Sequence, residues 1–146
     1  MFVKRISERS VTVGAPAKIN LDLRVLGRRP DGYHDIDSLF QAVSLFDRLK
    51  ITRLDNSTDV RISLVHSVNL PTDDSNLIAQ AFRLMQLRFG LTGGLDVELE
   101  KNIPIAAGLG GGSADGAATI LACQILFDLP PARAEMAAMS AEIGSD

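Results

Sequence analysis

One stretch constrains this chain more than any other: Gly108-Leu109-Gly110-Gly111-Gly112-Ser113. Glycine lacks a Cβ, so the backbone there can bend left-handed and approach a bulky partner closely. Downstream, Ile120, Leu121, Ile125 and Leu126 recur at helical spacing, and the pattern predicts a helix over 114–127. A glycine loop feeding a helix start offers unpaired N–H groups and a positive dipole end, which together suit a phosphate. Ser113 is placed either to cap that helix or to turn its hydroxyl toward a ligand. Two familiar motifs are excluded by counting. A dinucleotide fingerprint starting at Gly108 requires glycine where Ser113 stands, and a Walker loop requires a lysine that is absent here. The plain alternative is a flexible connector or a helix C-cap run.

The 146 residues fit one domain, and at this length a folded chain buries enough surface for a real core. With 46% hydrophobic and 23% charged residues the composition is that of a globular protein. Net charge is −3 and the basic residues are scattered, which speaks against a nucleic-acid or membrane-surface partner. Cys123 falls inside the predicted helix as a small buried side chain. His34 and His66 lack ligand spacing, so no metal site is assigned. The N-terminus has no apolar run of the secretory kind, and a cytoplasmic location is the expectation.

Along the chain, Ala15, Ala17, Ile19, Leu21, Leu23 and Val25 alternate with Lys18, Asn20, Asp22 and Arg24, predicting a half-buried strand over 15–26. Pro16 suits an edge or a strand start. Lys18 and Asn20 share the polar face, about 7 Å apart at strand rise. Gly27 to His34 reads as a turn around Pro30-Asp31-Gly32. Tyr33 and His34 beyond it either hold a planar ring or simply edge the core, and the pattern leaves both open. Residues 36–46 are rich in strand formers, and 48–54, 59–65 and 95–99 alternate as strands. A helix with capping residues at 73–76 runs to Phe89 and stops at Gly90. A last short helix, after Pro130-Pro131, carries Met136, Met139 and Ile143 on one stripe. This order predicts an α+β domain with a mixed or antiparallel sheet and helices packed on one side.

Three segments together resemble the GHMP kinases: Pro16-Ala-Lys-Ile-Asn-Leu-Asp-Leu with Gly27-Arg-Arg-Pro-Asp-Gly-Tyr-His34, then Pro104 to Ser113, then Gly144-Ser-Asp146. The resemblance spans nearly the whole chain and looks like that family's N-terminal ATP-binding domain, with the C-terminal domain absent. It implies the ribosomal-protein-like fold of that domain, and transfer of the ATP γ-phosphate to the 2-hydroxyl of diphosphocytidyl-methylerythritol, a step toward isoprenoid precursors by the non-mevalonate route. Lys18 and Asp146 match catalytic positions; Asn20, Tyr33 and His34 match substrate-binding positions, with Tyr33 stacking on cytosine. Pro104, Ile105, Ala106, Ala107, Gly108, Leu109, Gly110, Gly111, Gly112, Ser113 and Ala114 match the ATP phosphate loop, while Asn76 and Lys101 fall near its adenine. Ala114 replaces a serine common in the family, and Ser145 stands where alanine is common. ATP is the implied co-substrate and Mg²⁺ is expected with it.

The residue chemistry agrees with that resemblance. Phosphoryl transfer depends on positioning and charge stabilisation, which loop amides and a compact lysine charge supply. Asp146, ionised at neutral pH, accepts or orients the hydroxyl proton. The isolated 146-residue piece is expected to be inactive or nearly so. Two other functions compete: a related small-molecule kinase acting on homoserine or mevalonate, and a non-catalytic nucleotide- or RNA-binding module.

Overall fold

The computed structural model describes residues 1–28, 32, 34–130 and 133–144. In chain order the elements are β1 (Phe2–Arg5), β2 (Ser10–Arg28), β3 (His34–Leu54), β4 (Val60–Leu64), α1 (Leu77–Phe89), β5 (Gly94–Glu100), α2 (Gly111–Leu126) and α3 (Arg133–Ile143). The strands form one sheet in the order β1-β2-β3-β5-β4. β4 and β5 run parallel, with α1 as the crossover between them; the other neighbours are antiparallel. This is the α+β arrangement with a mixed sheet that the sequence predicts.

Alternation decides which face is covered. Val11, Val13 and Ala15 of β2, Leu49 and Ile51 of β3, and Leu95, Val97 and Leu99 of β5 are fully buried. Ile78, Phe82 and Met85 of α1, Ala118, Ala122 and Cys123 of α2, and Met139 of α3 complete the same core. On β3 and β5 the alternate residues Arg48, Lys50, Asp96 and Glu98 face water and carry charge. Lys50 pairs with Glu98, its register partner across β3 and β5. Such a pair helps fix register more than it adds stability, being worth at most about 1 kcal/mol when exposed.

Four features depart from the sequence reading. β2 is longer than predicted, and beyond Ala17 its apolar side chains are exposed, with Leu21, Leu23 and Val25 at 58%, 49% and 63%. The alternation is genuine, but this outer part of the β2–β3 ribbon runs past the helices, so nothing covers it. Second, the stretches 36–46 and 48–54 form one continuous strand, β3. Third, Pro16 lies well inside β2, where the ladder is irregular between Pro16 and Lys18 and its missing N–H is tolerated. Fourth, α2 begins at Gly111, three residues before the predicted start, with Gly110 rather than Ser113 at the cap position. Glycine is a poor helix former, yet a Cβ at Gly111 would stand 2.9 Å from both Ile103 and the Lys101 ammonium. Close packing there outweighs local propensity.

α1 follows expectation. The Asn76 side chain accepts from the Ile78 N–H at 2.9 Å, and Gly90 closes the helix in the left-handed conformation with φ 62°.

Candidate nucleotide-binding site

The chain leaves β5, buries Ile103, and then crosses seven residues to α2. Ala106, Gly108 and Gly110 take positive φ values of 57°, 71° and 70°. Gly108 and Gly110 adopt these without a Cβ penalty; Ala106 does so under strain of about 1–2 kcal/mol. The result is an arched loop whose last turn delivers α2 with no side chain capping its first N–H groups. Those amides and the helix dipole are the chemistry an anion needs.

The loop walls a pocket of about 330 Å³. Pro104 to Ser113 line it on one side, and Leu70, Pro71, Ser75, Asn76 and Leu77 on the other. A mixed apolar and backbone-lined cavity of this size is large enough for part of a nucleotide. The sequence marks 73–76 only as helix-capping residues and does not single out Leu70 or Pro71, which carry no motif.

Lys18 meets the loop through its backbone, its N–H donating to the Leu109 carbonyl at 3.0 Å. Its ammonium reaches along the strand, donating to Asn20 Oδ1 at 3.0 Å and lying 5.1 Å from the centre of the Phe40 ring. Register confirms the shared face, since Lys18 stands opposite Ala42 and Asn20 opposite Phe40. Lys18, Asn20 and the loop crown are therefore neighbours, although Lys18 is not in the pocket wall. Phe40 is a further member of this face that sequence reasoning missed; pairing across the ribbon, invisible in a linear pattern, puts it there.

His34 is exposed and opens β3 opposite Arg28, ten residues along β2 from Lys18. It lines no part of the pocket wall. Tyr33 and Asp146 lie outside the described residues. Gly144, the last described residue before Asp146, abuts Ser113: a Cβ on it would stand 2.5 Å from the Ser113 hydroxyl. Ser113 is thus a packing partner of the end of α3 as well as a pocket residue. Ala114 lies in the first turn of α2, its N–H donating to the Gly110 carbonyl.

Asn76 and Lys101 both border the pocket. The Asn76 amide caps α1 and donates to the Pro71 carbonyl at 2.7 Å. Lys101 is committed more deeply. Its side chain is 5% exposed, and its ammonium donates to Asp47 and, at 2.7 Å, to Asp115. The other Asp47 oxygen accepts the N–H groups of Asn102 and Ile103 at 2.6 and 2.8 Å. Asp115 Oδ1 is buried without a hydrogen-bond partner. Two carboxylates thus share one ammonium under the loop. Burial pushes the Asp115 carboxyl up to about 7, with Lys101 pulling it down and the Asp47 charge raising it. Asp47 and Asp115 were missed in the sequence. The available signal was a carboxylate at an inward position of an alternating strand, Asp47 before Leu49 and Ile51, and another on the apolar face of α2.

A sheet with helices on one face, an arched glycine loop opening a helix, and a lysine-bearing strand bonded to that loop define a class. Residues 76–146 match the GHMP kinases N terminal domain. Among curated relatives, the 4-diphosphocytidyl-2-C-methyl-D-erythritol kinase of Bacillus pumilus is 46% identical over 132 residues, covering 90% of this chain and 45% of that protein. The enzyme of that name from Leifsonia xyli is 42% identical over 138 residues, covering 94% and 45%. A solved 4-(cytidine 5'-diphospho)-2C-methyl-D-erythritol kinase superposes with a TM-score of 0.72 at 39% identity, covering 91% of this chain and 46% of that one. Homoserine kinase from Cytophaga hutchinsonii reaches the same TM-score at 22% identity, a likeness of fold alone. The chain spans about half the length of the curated relatives it matches. Among the described residues no helix is long and apolar enough to cross a membrane.

Proposed function

We propose that this chain is the nucleotide-binding part of an ATP-dependent kinase that phosphorylates the 2-hydroxyl of 4-diphosphocytidyl-2-C-methyl-D-erythritol. The observation that carries the reading is the loop itself, uncapped at α2 and bonded through the Leu109 carbonyl to Lys18. The relatives' shared name supplies the acceptor.

In this reading the loop amides and the start of α2 hold the β- and γ-phosphates. Adenine enters between the loop and the Leu70–Leu77 side, beside Asn76. Lys18 brings a compact positive charge toward the transferring phosphoryl group, which needs its ammonium to leave Asn20 and turn toward the loop. Asn20 and Phe40 present the same face to the acceptor. His34 and Tyr33 meet its cytidine end, and Asp146 orients or accepts the proton of the attacking hydroxyl. No group of three or more His, Cys, Asp or Glu among the described residues is fit to hold a metal by itself. Mg²⁺ is expected to arrive with the triphosphate, and no step is derived from it. We place the protein in the cytoplasm, with small-molecule rather than nucleic-acid partners, in keeping with its net charge of −3.

Phosphoryl transfer measured on the full-length protein tests the assignment. Lys18→Ala and Asp146→Ala should each lower kcat by about two or more orders of magnitude while ATP still binds. Normal turnover by either variant removes that residue from the chemistry.

A further inference from the structure

We propose that Asp115 is a positioning residue for the glycine loop, acting through Lys101 and Asp47 as a brace across the loop's two ends. The loop runs from Ile103 to Gly111. At its entrance, Asp47 of β3 accepts the backbone N–H groups of Asn102 and Ile103. At its exit, Asp115 in the first turns of α2 accepts from Lys101 at 2.7 Å. Lys101 also donates to Asp47, so one ammonium joins entrance to exit. The three side chains are 5% exposed or less, which shields the links from water. Buried links of this kind are strong only while each partner remains.

The brace has something to hold. Three residues of the loop have positive φ, one of them alanine, and no side chain caps α2. A strained arch of this kind keeps its shape only if its ends are fixed. Asp115 is the member whose loss tests this most cleanly. Without it, Lys101 and Asp47 remain paired one to one, so the loop entrance keeps its links while the exit loses its own. Asp115 also borders the pocket, but the effect proposed for it runs through the loop: fixing the arch in advance removes ordering entropy from anion binding. This consequence for ATP rests on the kinase reading above.

Hydrogen exchange of the amides of residues 104–112 decides the matter in the nucleotide-free chain. Asp115→Ala should speed exchange there about tenfold or more, and Asp115→Asn, which keeps an acceptor for Lys101, should restore most of the protection. Phe82→Leu, which loosens the core beside Phe127, should leave that segment unchanged and so separates bracing from general destabilisation. Unchanged exchange in Asp115→Ala, or equal acceleration in Phe82→Leu, overturns the proposal. ATP titration adds a second readout: Asp115→Ala should bind about tenfold more weakly at a temperature where both proteins are folded. If wild type binds no ATP, the kinase reading fails, while the exchange result still decides whether the brace exists.

Discussion

At the scale of single residues, the site is a matter of backbone shape more than of reactive side chains. Gly110 shows this, because its φ of 70° both ends the arch and opens α2. A β-branched residue is strained in that conformation by about 1–2 kcal/mol. Gly110→Val should lower the unfolding midpoint and weaken ATP binding at least tenfold by calorimetric titration; unaltered affinity would mean the arch is not the anion site. Much of this was legible in the sequence, since glycine spacing alone located the loop and excluded the Walker and dinucleotide patterns. Asp47, Asp115 and Phe40 were not. Their roles come from partners 54, 14 and 22 positions away in the chain, Lys101 for the first two and Lys18 for the third, and single-sequence periodicity carries no information about such pairings. Asn76, by contrast, announced itself as a cap, though not that its amide also donates to the Pro71 carbonyl.

At the scale of elements, α1 and α2 are stabilised in opposite ways. α1 has side-chain and glycine caps, so Asn76→Ala should cost about 1–2 kcal/mol in denaturant unfolding, the loss typical of a cap that also satisfies a second backbone group. A loss below a few tenths would show that the cap is not supporting the helix. α2 has no such cap and relies on packing against Ile103, Leu77 and Ile143. It also carries Asp115, whose carboxyl is raised to about 7 by burial. In the unfolded chain that group titrates near about 3.9. Between those values the folded state holds the extra proton, so this stabilising contribution is complete below about pH 4 and is lost as pH rises toward 7. Asp115→Asn cannot lose it, so its unfolding midpoint relative to wild type should climb between about pH 4 and 7 and level off above. A difference independent of pH would contradict the burial argument. Apart from β1, which no sequence pattern marked, strand and helix positions were readable from alternation and stripe, whereas the start of α2 was misread. Two helical glycines look like loop until the Ile103 and Lys101 side chains that fill the space beside Gly111 are known.

At the scale of the whole molecule, the helices cover the inner half of the β2–β3 ribbon and leave its outer half bare. Leu21, Leu23, Val25, Ile36 and Leu39 are all exposed there, which sequence alternation could not foresee because it reports a strand's two faces and not what lies opposite them. The same ribbon carries Lys18 and Asn20 at its base and His34 at its far end, so the proposed acceptor is handled by one long hairpin while the nucleotide is handled by the loop. That division rests on one claim, that the arch from Pro104 to Ser113 cradles the triphosphate next to Lys18. The most direct test is amide chemical-shift mapping of the chain during ATP titration. The account predicts the largest changes at residues 105–113 and at the Lys18 amide, with small ones at His34; changes centred anywhere else, or none at saturating ATP, would contradict it.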